Sequence, residues 1–215
     1  MTQLSKSADI VSDATVFLID DDELLCETVG LMLESVGIRY QTFPCVDAFF
    51  RVYSKEACQS LAWCIVCDIR MPNISGLECQ RILNSHHSIL PIIFMTGYAD
   101  VQMAVEAMQE GAFDFIEKPF REQAFIESVQ RALSKNAEKL RKWETEKSIL
   151  QSLATLSPRE QAVMELMIDG LPNKAISTGL DISLRTVEVH RAHVLEKMAA
   201  KNVAELVKQV LTVRQ

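Results

Sequence analysis

Leu61-Ala62-Trp63-Cys64-Ile65-Val66-Cys67-Asp68-Ile69-Arg70-Met71-Pro72 is the stretch on which the fold turns. An unbroken apolar run leads into one aspartate, and a proline-bearing loop follows at once. An apolar run of this length bounded by a turn signal reads as a buried strand, here placed from Leu61 to Cys67. Asp68 then stands at the strand's mouth, where a carboxylate is costly unless something uses its charge. The stretch marks a sheet and a site together.

The pattern repeats on both sides. Val16-Phe17-Leu18-Ile19 is another apolar run, and it ends in Asp20-Asp21-Asp22-Glu23. Leu24, Leu25, Val29, Leu31, Met32, Leu33 and Val36 follow at helical spacing and Gly37 stops the helix. A second strand is predicted over Arg39 to Phe43, and a second helix over Val46 to Tyr53. After Asp68 come a helix at Gly76 to Asn84 and a fourth strand at Ile92 to Met95. Next is a helix at Val101 to Glu110, capped by Asp100 and stopped by Gly111. The fifth strand runs from Phe113 to Glu117 and Lys118-Pro119 closes it. Strands alternating with helices predict a parallel sheet covered on both faces.

In such sheets the reactive polar residues gather at the carboxyl ends of the strands. Here those ends carry Asp20 and Asp21, Asp68, Thr96 and Lys118. Carboxylates brought this close repel, and one would be protonated unless a cation sits among them. Hard oxygen ligands suit Mg²⁺. With the ion in place Asp68 stays ionised and can attack phosphorus as a carboxylate nucleophile. The Lys118 ammonium and the ion would stabilise charge on the phosphoryl oxygens, and the Thr96 hydroxyl can donate to one of them.

These residues resemble the receiver domain of bacterial two-component response regulators. The resemblance rests on Asp20-Asp21 after a strand, Asp68 in Asp-Ile-Arg-Met-Pro, Thr96-Gly97 and Lys118-Pro119-Phe120. It implies that Asp68 takes a phosphoryl group from a sensor histidine kinase. It also implies that Asp20, Asp21, Asp68 and the backbone carbonyl of Arg70 hold Mg²⁺ (or Mn²⁺), and that Lys118-Pro119 is cis. A switch is implied as well: Thr96 moves toward the phosphate and Phe115 turns inward behind it. The face formed by the Val101–Glu110 helix and the fifth strand then pairs with a second copy.

From Arg121 to Leu156 neither proline nor glycine occurs. Phe125, Val129, Leu133, Asn136, Leu140, Trp143, Lys147 and Leu150 follow at steps of three and four, a stripe close to a heptad. The fifth receiver helix is expected to continue into a linker helix, about 50 Å in all at 1.5 Å per residue. A spacer role is favoured over a coiled-coil dimer contact, because the polar Asn136 and Lys147 interrupt the stripe.

Beyond the connector, Leu156-Ser157-Pro158-Arg159-Glu160 is a helix start with a serine cap, proline at the first position and glutamate at the third. Gly170 ends that helix, Asn173 opens a short one, Ser183 caps a longer one reaching Met198, and Asn202 caps the last. Two helices joined by a tight turn, the second rich in polar residues, form a helix-turn-helix. These residues, with Gly170-Leu171-Pro172-Asn173-Lys174-Ala175-Ile176 and Thr186-Val187-Glu188-Val189-His190-Arg191, resemble the four-helix domain of LuxR-type transcription regulators, closely the NarL/FixJ family and its FixJ branch. The long connector resembles that of StyR-like members. The resemblance implies that Glu188, Val189 and Ala192 face bases, with Lys174, Arg185, Thr186, His190, Arg191, His193 and Lys197 as further DNA contacts, most of them to phosphates. A metal site at His190 and His193 is not expected, since no carboxylate or cysteine cluster stands near them in the sequence.

The fold class that follows is an α/β receiver, with a five-stranded parallel sheet of flavodoxin-like order, joined by a long helix to an all-α four-helix helix-turn-helix domain. The expected boundaries are 14–128 for the phosphoacceptor receiver, 129–155 for the helical linker and 156–215 for the DNA-binding domain. Charge agrees with two modules: residues 1–127 hold 8 Lys and Arg against 19 Asp and Glu, whereas residues 157–215 hold 8 against 7. A near-neutral count is a weak footprint for a DNA binder, so the motif and not the charge carries that reading.

All six cysteines precede residue 80. Cys64 and Cys67 are spaced as C-x-x-C, but in a strand that offset points them to opposite faces, which makes them core residues and not metal or redox partners. No apolar run reaches the roughly 20 residues of a bilayer span, and the polar start, Met1 to Thr15, lacks a signal core. A cytoplasmic, non-membrane protein is expected, with promoter DNA, RNA polymerase and a phosphorylation-dependent second copy as partners. Two other functions stay open at this level. One is an aspartate-nucleophile Mg²⁺-dependent phosphatase, although its usual second acid is Arg70 here. The other is a constitutive DNA binder with an unused receiver. No enzymatic turnover is expected beyond self-catalysed phosphotransfer and slow loss of the phosphoryl group.

Overall fold

The structure, a computed structural model, describes residues 14–53, 63–97 and 101–214. The chain forms two compact units, Met1–Arg141 and Lys142–Gln215. The Asp100 cap and the Leu61-Ala62 start of the third strand lie outside the described residues.

The first unit alternates strands and helices: β1 (Thr15–Ile19), α1 (Glu23–Ser35), β2 (Arg39–Phe43), α2 (Val46–Val52), β3 (Trp63–Asp68), α3 (Gly76–Ser85), β4 (Ile92–Thr96), α4 (Val101–Gln109) and β5 (Asp114–Glu117). The strands are parallel, in the order β2-β1-β3-β4-β5. This is the flavodoxin-like order expected, with the chain reversing direction across the sheet beside β1 and β3.

Strand alternation divides the core in two. Val16 and Leu18 of β1, Cys64 and Val66 of β3, and Ile93 and Met95 of β4 pack with α1 and with the long helix α5 (Glu122–Ala154). Phe17, Ile19, Ile65, Cys67, Ile92 and Phe94 face the other way, against α2, α3 and Ala107 of α4. Both faces are apolar, which is why these strands read as runs and not as alternations. Cys64 and Cys67 accordingly lie on opposite faces, as the strand period requires.

Helix α5 carries Phe125, Ile126, Val129, Ala132, Leu133 and Ala137 into the first of these cores, so the receiver's packing extends past residue 128. Asn136 does not interrupt a seam. It is wholly buried, its Oδ1 accepting the Trp63 N–H at 3.0 Å and its Nδ2 donating to Ile89 O at 3.0 Å. Lys147 lies over the Trp143 ring, 4.6 Å from its centroid. The expected stripe also departs from the structure at its end: Ile149 is buried in the second unit's core and Leu150 is exposed.

The second unit adds α6 (Pro158–Ile168), α7 (Asn173–Leu180), α8 (Leu184–Lys197) and α9 (Val203–Val213). Val163, Met164, Met167, Ile176, Val187, Val194, Leu206 and Val210 form its core. Helix α6 starts in a complete capping box between Ser157 and Glu160. The α7–α8 turn is Asp181-Ile182-Ser183: Asp181 adopts the left-handed conformation at φ 54°, and the Ser183 side chain accepts the Thr186 N–H. No helix among the described residues is long and apolar enough to cross a membrane.

Candidate functional site

Parallel register builds the first site. Ile19 pairs with Cys67, which sets Asp20 beside Asp68, and Thr96 pairs with Glu117, which puts Lys118 one residue further on. The Lys118 N–H donates to Thr96 O at 2.7 Å, and the following Lys118-Pro119 bond is cis, as the resemblance implied. From there the Lys118 ammonium donates to Asp20 Oδ2 and to Asp68 Oδ1, each at 2.7 Å. The other oxygens are held by backbone: Asp20 Oδ1 accepts the Asp22 N–H at 3.0 Å, and Asp68 Oδ2 accepts the Arg70 N–H at 2.7 Å.

Asp20, Asp68 and Thr96 are buried, whereas Asp21 and Arg70 are exposed at the rim. Burial pushes the Asp68 carboxyl above the ordinary aspartate value, against the lowering effect of the Lys118 hydrogen bond and charge. Burial opposes the charge on Lys118 as well, yet its bonds to Asp20 and Asp68 outweigh it and raise the ammonium pKa. One ammonium thus compensates the acids only in part. The structure brings Asp20 and Asp68 together on the one ammonium, while Asp21 stays exposed beside them; carboxylate oxygens are the donors that suit a hard divalent cation. Phe115, on β5, is half-buried against the second core face.

Two contributors have no signature in the local sequence. Gly76 opens α3 against the loop after Asp68; a Cβ there would lie 2.4 Å from Asp68 O and 3.0 Å from the Phe94 ring. Cys26 of α1 points its thiol at Asp20 O, at 3.7 Å. Asp22, by contrast, caps α1 through the Leu25 N–H and so has a structural task next to the acid pair.

In the second unit Arg185, Glu188, Val189 and Ala192 are exposed on α8 at helical spacing, while Val187 and Val194 enter the core on its other side. Lys174 is exposed in the first turn of α7. Thr186, His190 and Arg191 are half-buried, and the Thr186 hydroxyl lies 2.8 Å from that of Ser183. Lys197 stands apart from the other expected DNA contacts, because its ammonium donates to Glu160 Oε2 at 2.6 Å and to Thr155 O at 3.2 Å. The Lys197 bond and the Ser157 N–H pull the Glu160 carboxyl down to about 2.

No carboxylate was expected near His190 and His193, but the fold brings one there. Glu160, some thirty residues earlier in the chain, is brought within reach of both imidazoles, and the ligand atoms of the three residues lie within 4.8 Å of one another. Sequence proximity was the wrong measure, since α6 and α8 pack side by side.

Residues 16–130 match the response regulator receiver domain, and residues 154–210 match the luxR family of bacterial regulatory proteins. The chain belongs to the FixJ-like response regulators. Like FixJ of Azorhizobium caulinodans, a transcriptional regulatory protein 43% identical over 91% of either chain, this FixJ-like regulator joins both modules in one polypeptide. FixJ of Rhizobium meliloti is 40% identical over 94% of the chain and 97% of its own length. Among solved structures, the response regulator StyR is 37% identical, with a TM-score of 0.85 over 93% of this chain and 98% of its own. Full-length FixJ from B. japonicum, at the same 37%, gives 0.54 over 93% and 97%. The regulator is therefore a DNA-binding response regulator of a two-component system, in a family of transcriptional regulators whose receivers generally use Mg²⁺ for phosphorylation.

Proposed function

We propose that Asp68 is the phosphoacceptor of this regulator, and that Asp20, Asp21, Asp68 and the Arg70 carbonyl hold the Mg²⁺ (or Mn²⁺) that the reaction uses. The observation that carries the reading is the half-buried Lys118 ammonium held at 2.7 Å from both Asp20 and Asp68. When bound, the divalent ion supplies positive charge that neutralises the acids and the transferring phosphoryl oxygens. An Asp68 carboxylate oxygen forms the new bond to phosphorus as the bond from phosphorus to a phosphohistidine nitrogen of the kinase breaks, and the imidazole leaves with that electron pair. Lys118 transfers its contact from the carboxylate to a phosphoryl oxygen, and the Thr96 hydroxyl donates to another.

The acyl phosphate carries a charge of about −2 at the end of β3, in place of the single negative charge of the Asp68 carboxylate, and it shifts the receiver only by bonding differently in two states. Thr96 and Phe115 are the residues that read it. The outcome is pairing with a second copy through α4 and β5, and the presentation of two α8 helices to a two-fold-related promoter site. Glu188, Val189 and Ala192 face the bases there, with Arg185 a further DNA contact. Lys174, Thr186 and Arg191 meet phosphates, with His190, His193 and Lys197 at the margin of the contact. RNA polymerase is the downstream partner, a sensor histidine kinase the upstream one, and the cytoplasm the compartment in which they meet. In these terms residues 14–128 receive, 129–155 connect, their first turns still packed into the receiver core, and 156–215 bind DNA.

The test is phosphorylation by acetyl phosphate in Mg²⁺, read on a phosphate-affinity gel, together with DNA affinity at a stated salt concentration. Asp68→Asn should take up no label and lose the phosphorylation-dependent gain in DNA affinity. Label at a similar rate on the variant would refute the assignment. Equal DNA affinity of the phosphorylated and free wild type would instead make it a constitutive binder.

A further inference from the structure

We propose that Glu160, His190 and His193 form a site for a divalent transition-metal ion of the Zn²⁺ class, fastening helix α8 to the N-terminus of α6. The site lies in the second unit and owes nothing to the acid crevice of the receiver.

The first observation is an orphan. His190 Nδ1 is buried and has no hydrogen-bond partner, an arrangement that costs stability unless something occupies it. The second is a divided carboxylate. Glu160 Oε2 takes the Lys197 ammonium at 2.6 Å and the Ser157 N–H at 2.8 Å, while Oε1 is turned to His193 Nδ1 at 3.6 Å, too long for a hydrogen bond. The third is geometry. Adjacent ligands of a tetrahedral Zn²⁺ with bonds of about 2.05 Å stand about 3.4 Å apart. The Glu160–His193 separation already matches this. The widest ligand separation, at most 4.8 Å, needs only a modest swing of a side chain. His193 has that freedom, its side chain being 51% exposed, and the exposed side leaves room for water as the fourth ligand.

The donor set selects the class of ion. Two imidazoles and one carboxylate suit Zn²⁺, Co²⁺ or Ni²⁺ and are poor ligands for Mg²⁺ or Ca²⁺. His190 and His193 sit three apart on one helix, so they present their rings on one face. Lys197 occupies only the far oxygen of Glu160 and so does not take the place of the ion, although its charge weakens the site. With the ion bound, two imidazoles at the edge of the DNA-facing helix are committed to α6.

Cobalt titration of the tag-free full-length protein in excess Mg²⁺ tests this, the Mg²⁺ occupying the receiver. The wild type should gain one equivalent of Co²⁺ with visible d–d absorption, and Zn²⁺ should bleach it. The band should vanish in His193→Ala, whose exposed side chain can go without loss of fold, as an unchanged thermal melt in chelator would verify. His190→Asn should lose it as well. Equal Co²⁺ stoichiometry and identical spectra for the wild type and His193→Ala would overturn the site, whatever becomes of the phosphoacceptor reading.

Discussion

Asn136 and Trp63, 73 residues apart in the chain, are joined by a hydrogen bond from the Trp63 N–H to Asn136 Oδ1 at 3.0 Å. The amide also donates to Ile89 O, so one buried side chain of α5 ties the start of β3 to the chain leading into β4. Removing it leaves a backbone donor and a backbone acceptor without their partner. Each such loss costs about 1–3 kcal/mol when the group stays dry. Asn136→Ala should therefore destabilise the receiver by about 3 kcal/mol in a urea melt. A loss below about 1 kcal/mol would mean that water replaces the amide.

The same residue shows where sequence reading stops. The stripe along α5 was legible, but its period could not say whether a polar member faces a second helix or its own sheet. Asn136 belongs to the sheet, and only the tertiary path reveals Trp63 and Ile89 as its partners. The acid crevice was far more legible. Parallel strands align their carboxyl ends, so Asp20, Asp68, Thr96 and Lys118 had to converge once the five strands were recognised. Glu160 is the opposite case: its capping role is written within four residues, while its approach to His190 and His193 depends on how α6 and α8 pack.

Charge in the crevice sets two opposed stability effects. Asp68 has its pKa raised on folding, so keeping it ionised at neutral pH works against the folded state, and this opposition fades as pH falls through the raised value. Asp68→Asn should melt higher than the wild type in EDTA at neutral pH. Lys118→Ala should melt lower, by about 3 kcal/mol, because two buried carboxylates lose their cation. Millimolar Mg²⁺ should narrow both differences. Calorimetric scans with and without Mg²⁺ read the pattern, and shifts of the same sign would count against it.

Gly76 is needed for space and not for flexibility. A methyl group at this position would stand 2.4 Å from Asp68 O, and the obstacle is backbone. Gly76→Ala should displace the loop after β3 and cost about 1–3 kcal/mol, the usual range for overpacking. Labelling by acetyl phosphate should slow along with the stability loss, since Asp68 Oδ2 is oriented by the Arg70 N–H in that loop. Full stability with a wild-type labelling rate would show that α3 shifts instead.

Cys64 and Cys67 are both wholly buried, and burial holds the Cys64 thiol well above the ordinary cysteine value. Thiolate is the reactive form, so neither residue should alkylate in the folded protein at pH 8. Cys45 is only half-buried and should react first of the described cysteines. Peptide mapping after iodoacetamide treatment checks the order. A Cys64–Cys67 disulfide in the native protein would contradict the two-faced placement directly.

The helix-turn-helix unit rests on the start of α6. Ser157 supplies an oxygen to the Glu160 N–H at 3.3 Å, and Glu160 returns one to the Ser157 N–H at 2.8 Å, while Lys197 of α8 grips the same carboxylate. Ser157→Ala removes the cap and should cost the second unit about 1 kcal/mol, the usual value for an N-cap serine. Ser157→Gly should cost less, since glycine leaves the cap backbone open to water. Lys197→Met removes the grip but keeps the aliphatic stem, so it separates the ion pair from packing. If the capping box acts as a unit, Ser157→Ala with Lys197→Met should cost less than the two single losses added together. Denaturant melts of the four proteins complete the cycle, and strict additivity would mean that cap and grip are independent.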